Sequence, residues 1–258
     1  LDLVDLNYVY LPKSRSNFLD SISNPLLRYS YEDHFILRAG YVYYHTNKLP
    51  SNGYRQRFQS DFYTFRAGVE TAGNFLYGMS KLFGQKKRDD GSYRVFDINY
   101  SQYIKGEIDY TYTHRFSPRH MVAFHSGFGI GIPYGNSTIL PFEKRFYAGG
   151  ANGVRGWSVR TLGPGAFRGN NSVTNFINQC GDIRLDFNME YRAKLFWVLE
   201  LGAFIDAGNI WTIKEYDNQP DGVFKFDKFY KQIALAYGLG LRFDFTYFLI
   251  RLDLGMKA

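Results

Sequence analysis

The chain has 258 residues, with 31 Lys and Arg against 24 Asp and Glu for a formal charge of +7, and aromatic residues (24 Phe, 22 Tyr, 3 Trp) make up 19% of it. Its single cysteine excludes an internal disulfide, and its 45% apolar content excludes a disordered chain. A mean hydropathy of −0.33, with no run of about 18 apolar residues, leaves no candidate membrane-spanning helix. The opening Leu1-Asp2-Leu3-Val4-Asp5 has no basic region or small-residue cleavage site and reads as no signal peptide. The positive charge points weakly to nucleic acid or an anionic membrane surface, and composition alone gives the aromatic excess no role.

Taken in chain order, the sequence predicts nine strands. Residues 1–10 form a short candidate, and 31–45 and 57–72 alternate loosely. Residues 99–116 set Tyr100, Ile104, Ile108, Tyr110 and Tyr112 against Lys105, Glu107, Asp109, Thr111 and Thr113, and 119–132 follow less cleanly. Residues 181–194 alternate strictly: Gly181, Ile183, Leu185, Phe187, Met189, Tyr191 and Ala193 against Asp182, Arg184, Asp186, Asn188, Glu190, Arg192 and Lys194. Residues 197–211 repeat the pattern, with Trp197, Leu199, Leu201, Ala203, Ile205, Ala207 and Trp211 opposite Glu200, Gly202, Phe204, Asp206 and Gly208. Residues 231–245 set Ile233 to Phe243 against Gln232 to Asp244, and 248–258 set Phe248, Ile250, Leu252, Leu254 and Met256 against Arg251, Asp253 and Lys257. A two-residue period sends alternate side chains to opposite faces. No helix-period stretch of useful length stands out.

Soluble strands typically run to about 5–6 residues, whereas tilted strands that cross a bilayer need about 9–11. The predicted strands are ten residues or longer. One face is continuously apolar and the other charged, which inverts a soluble barrel and suits lipid outside with water or a polar plug inside. The intervening gaps, 11–30, 46–56, 73–98, 117–118, 133–180, 195–196, 212–230 and 246–247, alternate long and short. Outer-membrane barrels have long extracellular loops and short periplasmic turns in that way, and Pro50, Asn52-Gly53 and Pro118 supply turn chemistry on the short side. The expected fold is therefore an all-β, transmembrane antiparallel β-barrel, with Trp197, Trp211, Tyr43, Tyr44, Tyr247 and Phe248 in its interface girdles.

The longest gap, 133–180, centres on Phe146-Tyr147-Ala148-Gly149-Gly150-Ala151-Asn152-Gly153-Val154-Arg155-Gly156-Trp157. A phosphate-loop reading of these glycines fails, because no Gly-Lys-Ser/Thr follows and no parallel-sheet unit surrounds them. Val154-Arg155-Gly156-Trp157 resembles the V-R-G-(F/Y/W) motif of the BamA/TamA superfamily of outer-membrane assembly and translocation barrels (bacterial surface antigens), and the preceding Phe146 to Gly150 is similar to the same loop. Phe204-Ile205-Asp206-Ala207-Gly208 resembles the family's F-x-D-x-G strand motif, and Asn188-Met189-Glu190-Tyr191 is also family-like. The phrase LDLVDLNYVYLP looks most like the TamL-type branch.

The resemblance implies that loop 133–180 folds inward and that Arg155 pairs with lumenal carboxylates on the next two strands. Alternation independently puts Glu190 and Asp206 on the polar face. Gly149, Gly150, Gly153 and Gly156 belong to the same loop motif, Gly153 and Gly156 letting the backbone turn around the arginine, with Trp157 against the wall. Phe204 and Gly208 flank Asp206 in the strand motif. A hairpin turn near residue 195 puts Asp206 opposite about 184–186, which at about 3.3 Å per residue separates it from Glu190 by over ~10 Å. The resemblance makes Asp206 the main partner of Arg155 and Glu190 a second, and where that register lets Arg155 reach only one of them, Asp206 is the choice.

Other chemistry is sparse. His34, His45, His114, His120 and His125 share no metal-ligand spacing, and His120 and His125 fall on opposite faces of one strand. No Gly-x-Ser-x-Gly elbow occurs, and the lumenal carboxylates sit among balancing Arg184, Arg192 and Lys194. Cys180 is a lone residue at a strand start, and Lys86-Lys87-Arg88 a solvated loop run. No enzyme activity, cofactor, metal or nucleic-acid partner is expected.

The family has sixteen strands preceded by POTRA domains. By comparison, residues 1–258 read as a partial barrel without POTRA domains, lacking early strands and the closing strand. The function implied by resemblance is insertion, assembly or translocation of other proteins at the bacterial outer membrane. Partners would be membrane lipids (including lipopolysaccharide), client outer-membrane proteins, and a periplasmic or inner-membrane partner reached through N-terminal domains. The alternatives are a passive pore or a secretion barrel for a fused or partner passenger.

Overall fold

A computed structural model describes residues 2–9, 28, 34–49, 59–88, 91–169, 178–245 and 247–258, with backbone only for 2–9. The described strands are β1 (Asp2–Val9), β2 (His34–Thr46), β3 (Asp61–Ala72), β4 (Arg94–Val95), β5 (Ile98–Tyr100), β6 (Tyr103–Ser117), β7 (His120–Pro133), β8 (Ile183–Phe196), β9 (Leu199–Trp211), β10 (Ala234–Asp244) and β11 (Leu249–Lys257). They form one eleven-stranded sheet. The long strands pair antiparallel with their chain neighbours, β6 following β3. Among the described residues β1 and β11 each pair with a single strand, and the sheet does not close. No described helix is long and apolar enough to cross a membrane.

Alternation decides which face each strand presents. Val69, Ile104, Ile108, Phe128, Ile132, Phe187, Leu201, Ile205, Leu239 and Leu254 are all exposed and line one side. Arg66, Glu107, Asp109, Arg184, Asp186, Glu190 and Arg242 line the other, paired with one another. An exposed apolar band backed by a charged interior suits lipid outside and a polar lumen inside. The apolar packing inside is correspondingly small. One cluster joins Phe146, Ala148, Val154 and Leu162 of the long loop to Ile210 and Ala236 of the inner wall. A second joins Leu140 to Ile36, Ala72 and Tyr103. The core therefore lies between loop and wall.

The β6–β7 and β8–β9 turns are tight, at Pro118-Arg119 and Trp197-Val198. The long connections, including 134–182 and 212–233, leave the opposite end. The connection after β3 departs from expectation. It holds a helix, α1 (Asn74–Leu82), and the short hairpin β4–β5. Nine residues are too few for a helical period to stand out. β5 lies parallel to β2 at His34 and Phe35. β1 takes one side of β2 there, so β5 uses the side that β3 leaves open before Arg38.

The aromatic belt is clearest at the tight-turn end. Rings of Tyr43, His45, Phe65, Tyr63, Tyr110, Tyr112 and Phe124 run across β2, β3, β6 and β7 on the outer face. Trp197 and Phe248 each pack against Phe245 beside it. Two expected girdle residues are elsewhere. Trp211 is 0% exposed, because Phe224 and Phe229 of the following loop cover it and its indole donates to Gln232 Oε1. Tyr44 sits opposite Arg66 and so shares the lumenal face. Tyr100, expected on the apolar face of the strand at 99–116, is instead buried in β5.

Candidate functional site

The site is built where the loop between β7 and β8 meets the inner wall. Bridges from Phe146 to Gly181 and from Ala148 to Leu162 close the stem of the loop. Its tip turns at Gly149 and Gly150, with φ of 90° and 87°. A side chain at Gly149 would run into the Ser158 carbonyl. Gly150 N–H donates to the Trp157 carbonyl (2.7 Å) and Trp157 N–H to the Val154 carbonyl (3.1 Å). These bonds project Val154 and Arg155 onto the wall. Val154 is buried, and the absent side chain of Gly208 leaves it room.

Arg155 carries the polar contacts. Its Nε donates to Asp206 Oδ2 (2.7 Å) and Nη2 to Asp206 Oδ1 (2.8 Å), a bidentate pair. Nη1 donates to Glu190 Oε2 (2.7 Å) and the backbone N–H to Asp206 Oδ2 (3.0 Å). The Phe204 ring lies 3.4 Å from the guanidinium carbon, adding cation–π attraction. Asp206 is 0% exposed. A charge removed from water this completely is costly unless its partners satisfy it, and here they do: Asn188 Nδ2 donates to Asp206 Oδ1 (2.8 Å) and to the Gly153 carbonyl (2.9 Å). Glu190 also accepts from Arg192 (2.8 Å) and pairs with Arg242.

One expectation is corrected. The β8–β9 hairpin turns at Trp197-Val198, so Asp206 stands opposite Asn188 and Phe204 opposite Glu190. A bulge between Lys194 and Phe196 breaks the alternation two residues before the strand ends. The carboxylates are thus near enough for Arg155 to hold both. The backbone does turn tightly around the arginine, closed by the Trp157 N–H to Val154 carbonyl bond with Gly156 inside it, and the left-handed residues of the loop tip are Gly149 and Gly150. Gly156 serves close approach, since a Cβ there would lie 2.9 Å from Ala236 Cβ and 3.1 Å from the Met256 carbonyl. Trp157 packs on the loop–wall cluster, with Lys257 Nζ 5.1 Å from its ring centre.

Sequence reasoning missed the contacts with β11. Asp253 lies 3.7 Å from Arg155 Nη1 and 2.9 Å from Arg251 Nε. Arg251 reaches the Ala151 carbonyl and Asn152 Oδ1. A side chain on Gly255 would strike the Arg155 carbonyl. Alternation put Arg251 and Asp253 on the polar face; only the register shows that they level with the loop. A second buried pair at the loop's stem, Arg145 Nε to Asp182 Oδ1 (3.1 Å), also went unnoticed.

Beside the loop a cavity of about 470 Å³ is lined by Lys105, Glu107, Asp109, His125, Arg184 and Asp186. His125 contacts Asp186 (3.1 Å), while His120 contacts Tyr191 on the opposite face. Among the described residues no three His, Cys, Asp or Glu group to hold a metal. Burial pushes the Cys180 thiol up from its ordinary pKa and Tyr216 up to about 12. The thiol therefore stays protonated near neutrality and is a poor nucleophile.

The family described as Omp85 superfamily domain matches residues 4–258. The chain is 33% identical over 95 residues to the outer membrane protein assembly factor BamA of Neisseria meningitidis serogroup B, covering 35% of this chain and 12% of that protein. It is also similar in structure to BamA from Haemophilus ducreyi lacking POTRA domains 1–3, with a TM-score of 0.45 and 12% identity over 86% of this chain and 51% of the other. It therefore spans well under two thirds of either relative.

Proposed function

This chain belongs to the Omp85 superfamily and is an outer-membrane β-barrel, and we propose that the protein it represents inserts or translocates other proteins at that membrane, by a route that involves no enzymatic turnover. The observation that carries this reading is the Arg155 latch. A loop that occupies the lumen and is bonded to buried Asp206 and Glu190 is suited to a barrel whose interior is closed at rest. The relative from Neisseria is named as an outer membrane protein assembly factor, which supports the same class of activity.

In this reading the wall supplies the work through hydrogen bonding. A strand edge with unpaired N–H and C=O groups can template an incoming strand, and the exposed apolar band holds that edge at bilayer depth. Partners would be the surrounding lipids and client outer-membrane proteins. A passive pore would need an open lumen, and the seated loop counts against it.

The test is depletion of the protein in its own cell. Levels of other outer-membrane proteins should fall, with unfolded precursors accumulating in the periplasm. Normal levels of every outer-membrane protein after depletion would refute the assembly role. Normal levels after depletion, together with high steady conductance of the purified barrel, would favour the pore.

A further inference from the structure

We propose that α1 (Asn74–Leu82) and the residues after it form an interfacial anchor that lies in the outer leaflet against an anionic, phosphate-bearing lipid surface. The proposal rests on the barrel's lie in the membrane and is independent of its function.

The helix begins on the lipid side of the wall. Thr71 pairs across the sheet with Ile104, and Ile104 with Ile132, so these three share the outer face. Gln102 and Tyr134 continue that parity by two residues. Asn74 is tied to all of these positions: its Nδ2 donates to Thr71 Oγ1 (2.7 Å), and its Oδ1 accepts from Gln102 Nε2 (3.0 Å) and the Tyr134 hydroxyl (2.7 Å). Gly73, with φ of 75°, brings the chain against the Ser101 and Gln102 backbone, where a side chain would not fit. The helix is thereby fixed over the outer face at the long-loop end, directly beyond the apolar band of Val69, Ile104 and Ile132.

The exposed side of α1 is apolar. Ser80 is buried and Tyr77 meets Tyr93 edge-on at 5.5 Å, which marks the packed side. Phe75, Leu82 and Phe83 are 68%, 81% and 74% exposed, and Met79 is exposed with them. Spacings of four, three and one place these four within one helical arc. In water such a stripe would be a liability; continuous with a lipid-facing band, it has a solvent. Residues 74–87 hold Lys81, Lys86 and Lys87 and no carboxylate, while Arg88, which pairs with Asp97, and Asp89-Asp90 follow. Lys81 lies over the Tyr77 ring at 4.8 Å and Lys87 over Tyr93 at 5.4 Å, so the cations ride beside the stripe on aromatic stems. An apolar face flanked by lysines is the pattern of a helix lying in a membrane interface, where cations meet headgroup phosphates.

The test uses the intact barrel protein with Cys180 replaced by Ser, carrying a spin label at Leu82 or at Lys86 through L82C or K86C. It is reconstituted in vesicles of phosphatidylcholine alone or with phosphatidylglycerol added. Oxygen should broaden the Leu82 label more than a water-soluble nickel chelate does, and the order should reverse at Lys86. Added phosphatidylglycerol should deepen the Leu82 label, and K81Q/K86Q/K87Q should abolish that shift. Water-like accessibility at both sites would overturn the proposal, as would a depth insensitive to phosphatidylglycerol. Protection of the Leu82 label from both reagents would overturn it too, since a protein partner or second copy would then cover the face.

Discussion

The motif loop meets the wall at two places, and the contacts differ in kind. At β8 and β9 a guanidinium is bonded bidentately to one buried carboxylate and singly to another, and each partner is itself satisfied. At β11 the contacts are a 3.7 Å ion pair, a partly exposed Arg251 reaching loop acceptors, and the close approach of Gly255. Breaking a buried pair typically costs about 3–5 kcal/mol because one charge is left buried and alone. Exposed pairs contribute about 0–1 kcal/mol. The loop therefore belongs to the β8–β9 hairpin, and β11 rests lightly upon it. The strand nearest the open end of the described sheet can part from the loop without unseating it.

The sharpest way to break this comparison is at its strong side. Asp206→Ala should strand Arg155 in a buried site and cost about 3–5 kcal/mol. Arg155→Ala should do comparable harm, and Arg155→Lys should recover only part of it, because an ammonium cannot span both Asp206 oxygens. The measurement is the temperature at which the folded barrel loses its fast electrophoretic migration, with protease sensitivity of residues 146–162 alongside. If Asp206→Ala left both unchanged, the loop would be held by its apolar cluster and not by the latch.

How much of this was legible follows from periods. A strand's two-residue period is written directly into the sequence, so the faces of β8 and β9, and with them the lumenal placement of Glu190 and Asp206, can be read without coordinates. Register cannot be read in that way. The alternation stops at the Lys194/Phe196 bulge, which looks like a turn in sequence, and the true turn at Trp197 adopts a φ of 49° that no glycine announces. Residue types alone suggested Trp211 for a girdle; its burial depends on Phe224 and Phe229, supplied by a loop without a period. The helix α1 escaped because its apolar residues face outward and run for only nine residues. The motif's arginine was found through a resemblance, and its β11 neighbours, which lie outside any motif, were not.

A smaller effect, acting on both contacts together, is expected at Gly156. A side chain there would lie 2.9 Å from Ala236 Cβ on β10 and 3.1 Å from the Met256 carbonyl on β11, closer than van der Waals contact allows. Gly156→Val should cost about 1–3 kcal/mol through overpacking, and hydrogen exchange should quicken in β11 and the loop together. Gly106→Ala is the control, since a Cβ there meets nothing within 4 Å. If the two variants exchanged alike, the loop and β11 would not be in close contact in the membrane.

The weakest contact makes the most discriminating test. Arg251→Ala removes bonds to Ala151 and Asn152 and the partner of Asp253. Arg251 is partly exposed, but Asp253 is left with only the 3.7 Å contact to Arg155, so overall stability should fall by about 1 kcal/mol, and the thermal transition should move much less than in the latch variants. The local consequence should be larger than the global one: β11 amides should exchange faster while those of β8 and β9 keep their protection, since Arg155 still holds Asp206 and Glu190. Equal acceleration in all four strands would mean that β8–β11 open as one unit, and the distinction between a strong seat and a light one would fail. Acceleration confined to β11 would identify its pairing with β10 as the most easily released part of the wall, with the latch still closed behind it.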